Sequence, residues 1–186
     1  MTVGPDSTTR IVDAALRLMI RHGEAKVSMV DVCREANVSR STLYRAFATR
    51  EDLIDAMGPR IITLYRATLQ HAVEKDPAPE RRFRVVVNAV NTFVKGGVGR
   101  QMQVREGQIE FVLTQFRDNW GAFVGPIREA IVDAFPPGTT RRHRIVSIAA
   151  ELIASTSFAQ RMLPARIDDG ALIEVLDAYA ASVAPG

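Results

Sequence analysis

Apolar residues recur along this chain at the spacing of one helix face. No alternating apolar/polar run bounded by Asn-Gly or Asp-Gly turns occurs, as half-buried strands would require. Ile11, Ala14, Ala15, Leu18 and Met19 trace a first stripe at i, i+3, i+4, i+7 and i+8, closed by Gly23. Val86, Val90, Phe93 and Val94 trace a second, on a helix expected to open after Pro79 and end at Gly96-Gly97. A third runs through Ile109, Val112, Leu113 and Phe116. The expected fold is all-α. Its 186 residues, 47% apolar and 24% charged, suffice to bury a core without disulfides. The single cysteine, Cys33, excludes an internal disulfide and any multi-cysteine metal site. The longest apolar run, 145–154, is interrupted by Glu151 and falls short of the ~20 residues of a membrane helix. With no signal pattern at its start, the chain is expected in the cytoplasm.

The charge is unevenly placed. Residues 1–50 hold eight basic residues against five acids, whereas the remaining residues hold 16 of each sign. All of the net +3 therefore sits in the first quarter, where an anionic partner is expected. Ser28-Met29-Val30-Asp31 fits a capping box: the Ser28 hydroxyl accepts from the Asp31 amide while the carboxylate reaches back. A short helix follows to about Ala36. Asn37, a residue that tolerates a left-handed backbone, suits a tight turn. Ser39 can cap the next short helix, which ends near Phe47, and Thr49-Arg50-Glu51-Asp52 repeats the capping pattern. Two short helices joined by a tight turn, after a longer first helix, make a helix-turn-helix unit.

The fifteen residues 36–50 contain three arginines and no acid. Arg40, Ser41, Thr42, Tyr44 and Arg45 face outward once Met29, Val32, Cys33, Ala36, Val38, Leu43 and Phe47 are turned into a small core. An acid-free helix N-terminus favours phosphate, and arginine can grip guanine bidentately. The run Ser28 to Phe47, continued by Thr49-Arg50-Glu51-Asp52-Leu53, resembles the DNA-binding domain of TetR-family transcriptional regulators. The resemblance covers about residues 8–57: a tight turn before Val38-Ser39, a Thr42-Leu43-Tyr44 core, Phe47, then Arg50-Glu51-Asp52-Leu53. It implies base or phosphate contacts from Arg40, Ser41, Thr42 and Arg45, and phosphate contacts from Ser28 and Tyr44. Arg50 stands where a backbone-contacting lysine is usual. Asn37 replaces the usual turn glycine, and Ala46 replaces a frequent histidine or aromatic, so one contact is missing.

The expected division is a helix-turn-helix domain over 1–57 and a helical effector-binding and dimerisation domain over 58–186. In the latter, helices at about 140–163 and 170–183 are apolar around more than one face and are the expected homodimer interface, through Ile145, Leu152, Leu172, Leu176 and Tyr179. Phe111, Phe116, Trp120 and Phe123 concentrate within thirteen residues, and with Met102, Phe158 and Met162 could line a pocket for an apolar effector. An aromatic stripe at this spacing also reads as plain core. Gly58-Pro59 is expected to kink the fourth helix or to start a new one.

Nothing points to catalysis. His22, His71 and His143 lack metal-ligand spacing, Gly97-Val98-Gly99 fails the dinucleotide fingerprint, and no phosphate loop occurs. No cofactor, metal or membrane partner is expected. The chain is expected to be a dimeric repressor on a palindromic operator in double-stranded DNA, released by an apolar small molecule. The alternative is a ligand-independent, nucleoid-associated DNA-binding dimer.

Overall fold

A computed structural model of the chain describes residues 5–22, 27–95, 109–135, 137, 141–162 and 168–183. Among the described residues there are eight α-helices and no strand, as the periodicity requires. They are α1 (Pro5–His22), α2 (Met29–Ala36), α3 (Arg40–Ala46), α4 (Arg50–Lys75), α5 (Arg82–Lys95), α6 (Ile109–Ile131), α7 (Arg142–Met162) and α8 (Asp169–Ser182). Two compact units share them. One takes in Met1–Thr63 and Gln101–Arg117, the other Leu64–Arg100 and Asp118–Gly186.

In the first unit, the stripe Ile11, Ala14, Ala15, Leu18 and Met19 is buried, and α1 packs chiefly on α2. Ala14 and Ala15 are wholly buried, and their small side chains let the two helices approach closely. Leu43 from α3 and Leu53 from α4 complete the core, each fully buried. Met29 and Val38, expected inside it, are only half-buried.

Gly58-Pro59 does not start a new helix: α4 runs through both residues. Proline deletes one hydrogen bond, here to the carbonyl of Asp55. Thr63 Oγ1 donates to the Pro59 carbonyl at 3.0 Å. Arg60 grips Asp13 of α1 bidentately, with Nε to Oδ1 at 2.7 Å and Nη2 to Oδ2 at 3.0 Å.

In the second unit α5 packs against both α7 and α8. Phe83 at its start meets Phe135 edge-on at 5.5 Å, and Val86 and Val90 are fully buried. Arg82 is buried too, and its charge is spread over main-chain oxygens. Nη1 donates to the Ala130 carbonyl at 3.2 Å and Nη2 to that of Pro77 at 2.7 Å. Arg142 Nη2 donates to the Val132 carbonyl at 2.7 Å. The carbonyls of Ala130 and Val132 lie at and just past the end of α6, where a helix leaves acceptors unpaired.

Candidate nucleic-acid interface

The turn between α2 and α3 is fixed from both sides. Asn37 adopts the left-handed conformation, φ 52° and ψ 53°. Its amide donates to the Arg34 carbonyl at 3.3 Å, and that of Val38 to the Cys33 carbonyl at 3.0 Å, the paired bonds of a Schellman motif. From α1, Arg10 Nη2 donates to the carbonyls of Ala36 and Asn37 at 3.0 and 3.4 Å. Asparagine thus does here what glycine usually does in such a turn.

Caps set the helices that follow. Ser39 Oγ accepts from the Thr42 amide at 3.0 Å and lies 2.8 Å from both Ser41 Oγ and Thr42 Oγ1. Three hydroxyls therefore cluster at the start of α3. Thr49 and Asp52 form the full reciprocal box, at 2.9 and 3.0 Å. The Ser28 box is half as expected. Its hydroxyl accepts from the Asp31 amide at 3.1 Å but also donates to Asp31 Oδ2 at 2.6 Å. Here the carboxylate meets the hydroxyl, whereas Asp52 reaches the Thr49 amide.

Electrostatics leave the α3 face positive. Glu35, the last acid before the turn, accepts through Oε1 from Arg17 Nε at 2.8 Å and Arg21 Nη2 at 2.6 Å. Those two bonds hold its carboxyl below the usual range, that from Arg17 contributing most. Asp31 is engaged by Arg34 at 3.1 Å as well as by Ser28. The first turn of α3 contains no acid. Arg40, Ser41, Tyr44 and Arg45 are exposed on α3, Tyr44 to 51%, while Thr42 is half-buried; Ser28 is exposed before α2. A tyrosine this exposed on a helix of seven residues has its ring available to a partner. Arg50 is half-buried, its Nε donating to the Val27 carbonyl at 2.9 Å, so part of this guanidinium braces the unit.

Residues 11–57 match the family of bacterial regulatory proteins designated tetR. That match places a TetR-type DNA-binding module on this segment of the chain. The matched residues comprise α2, α3 and most of α1 together with the start of α4. Over 65 residues the chain is 34% identical to an uncharacterized HTH-type transcriptional regulator of Haemophilus influenzae, a match spanning 35% of each chain. Two solved structures share the fold over nearly all their length. The multidrug binding protein EbrR, solved with imidazole, is 18% identical with a TM-score of 0.62, covering 98% of this chain and 97% of that one. The TetR-family repressor AlkX from Dietzia sp. strain DQ12-45-1b is 21% identical with a TM-score of 0.57, covering 96% and 98%.

In the second unit the expected interface residues part company. Ile145, Leu172 and Leu176 are buried within the unit, whereas Leu152 and Tyr179 are exposed to 45% and 40%. Ile148 and Val175 are likewise exposed, to 45% and 63%. The spacing signal was present: Ile148/Leu152 and Val175/Tyr179 are both i, i+4 pairs, one outward row on each helix. Of the expected pocket residues, Phe123 is buried and Trp120 half-buried, the latter with Nε1 donating to Glu151 Oε2 at 2.7 Å. The side chains of Met102, Phe111, Phe116, Phe158 and Met162 lie outside the described residues. Among the described residues no cluster of potential metal ligands occurs, and no helix is long and apolar enough to cross a membrane.

Proposed function

We propose that this chain is a TetR-family transcriptional regulator, a homodimeric, cytoplasmic repressor that reads a palindromic operator with α3. The acid-neutralised α3, capped by Ser39, carries this reading. Arg40, Ser41, Thr42 and Arg45 would contact bases or phosphates, with Ser28, Tyr44 and Arg50 on the backbone. Two recognition helices bound to successive major grooves require half-sites about 34–36 Å apart, or a multiple of this.

Dimerisation is assigned to residues 58–186, through the outward rows Ile148/Leu152 and Val175/Tyr179, with the buried Ile145, Leu172 and Leu176 supporting them from within. Exposed apolar rows on two helices favour a four-helix contact between copies. Val175→Glu is expected to dissociate the dimer in sedimentation while leaving helix content intact. A dimer that survives this change places the interface elsewhere.

The same domain is proposed to bind an apolar effector near Trp120 and Phe123, which favours a dimer whose recognition helices no longer match the operator. EbrR is a multidrug binding protein that was also solved with ethidium. A 100-fold preference of the effector for the released form supplies about 2.7 kcal/mol, enough to lower operator occupancy at least tenfold below saturation. Selection of random duplex DNA by the purified protein tests the reading. Enrichment of a palindrome with fixed half-site spacing supports it. Salt-sensitive binding without an enriched sequence favours the nucleoid-associated alternative.

A further inference from the structure

We propose that the effector site is built around Tyr65 and takes an uncharged, largely apolar molecule bearing a carbonyl-type oxygen that accepts a hydrogen bond from the Tyr65 phenol; this rests on the effector reading above. Tyr65 lies on the C-terminal part of α4 and is fully buried. Its ring meets Phe93 of α5 edge-on at 5.0 Å and Phe123 of α6 at 5.6 Å with a 56° tilt. Its hydroxyl has no hydrogen-bond partner among the described residues.

That combination is costly unless something answers the hydroxyl. A buried O–H without an acceptor loses its water and gains nothing in return, and phenylalanine would fill the same aromatic nest without that loss. Burial also raises the phenol pKa well above its ordinary value, so the group stays protonated and available as a donor. Arg66, next on α4, pairs with Glu129. Thr68, one turn on, returns its hydroxyl to the Leu64 carbonyl at 2.9 Å. A ligand beside Tyr65 thus finds aromatic walls and one neutral donor, which suits a ketone, ester or amide better than a carboxylate. Asn91, also buried without a partner among the described residues, lies about 160° around α5 from Phe93 and is a separate group.

Quenching of Trp120, the sole tryptophan, can report binding in the intact protein. The probes are 2-acetylnaphthalene and its hydrocarbon counterpart 2-ethylnaphthalene. Wild type is expected to bind the ketone about tenfold more tightly, the yield of one good hydrogen bond. Tyr65→Phe should abolish that preference, leave ethylnaphthalene affinity within about twofold, and melt no lower than wild type. Asn91→Leu should retain the preference. Equal binding by wild type, no binding of either probe, or a preference that survives Tyr65→Phe overturns the site. The same titration is run on protein bound to its selected duplex. Tyr65-dependent ketone binding without DNA release overturns the effector reading and leaves the site. Equal release by both probes, unchanged by Tyr65→Phe, overturns the site and leaves the effector reading.

Discussion

The two units treat their polar groups in opposite ways. In the helix-turn-helix unit, the polar side chains around the turn are engaged locally. Ser28, Ser39 and Thr49 cap helices, Arg10 and Arg50 serve carbonyls, and Glu35 and Asp13 hold arginines. In the second unit, Tyr65, Asn91 and Ser157 are buried with side-chain polar atoms that lack partners among the described residues. A surface that must present one fixed pattern to DNA gains from complete internal satisfaction, because each bond removes an alternative geometry. An interior meant to receive a small molecule gains from groups left to be satisfied by it.

The largest expected effect is at the heart of the first unit. Leu43→Ala empties a fully buried site beneath α3 and should cost about 2–5 kcal/mol in denaturant unfolding, with DNA binding lost in parallel. A cost under ~1 kcal/mol would mean that α3 is not held by this core. Next comes a pair of identical chemical changes with opposite expected signs. Ser39→Ala removes an N-cap and should destabilise by about 1 kcal/mol. Ser157→Ala removes a buried hydroxyl with no partner among the described residues and should be neutral or stabilising. Equal losses at both positions would erase the contrast between the units.

A smaller gain is expected from Gly121→Ala, where a new methyl group meets nothing within 4 Å inside α6. Helix propensity alone should raise stability by about 0.5–1 kcal/mol, visible as a higher midpoint of urea unfolding. The smallest effect concerns acid. Glu35 binds its proton less readily when folded than when unfolded. Its contribution is therefore complete above the unfolded value, about 4.3, and lost as pH falls through the lower folded one. Thermal melts of wild type should lose stability on this acid side more steeply than those of Glu35→Gln. Parallel curves would remove Glu35 from the account.

Much of the first unit is legible in the sequence because its determinants are local. A capping serine or threonine, an asparagine in a left-handed turn and a helical stripe each act within four residues, so Ser39, Thr49, Asn37 and the α1 stripe are found where their spacing places them. The Ser28 box is only half read, since pattern alone does not say that Asp31 meets a hydroxyl while Asp52, in the same pattern, reaches an amide. Gly58-Pro59 looks like a break, yet α4 continues, held by Thr63 and by an ion pair to Asp13, a residue 47 positions away from Arg60. In the second unit, a stripe apolar around more than one face does not say which edge turns inward. That choice is made by α5, and it buries Ile145 while leaving Ile148 exposed. Tyr65 escapes sequence reading for a similar reason: four residues before Leu69, it reads as one more core position.

Hydrogen exchange with and without the selected duplex tests most directly whether the first unit is the reader. Slowed exchange should appear across residues 37–50 and at the start of α2, where bound phosphates and bases would cover the amides, and a scrambled duplex of equal length should leave these residues unchanged. Protection confined to residues 64–183, with 28–50 exchanging as in the free protein, would contradict the account.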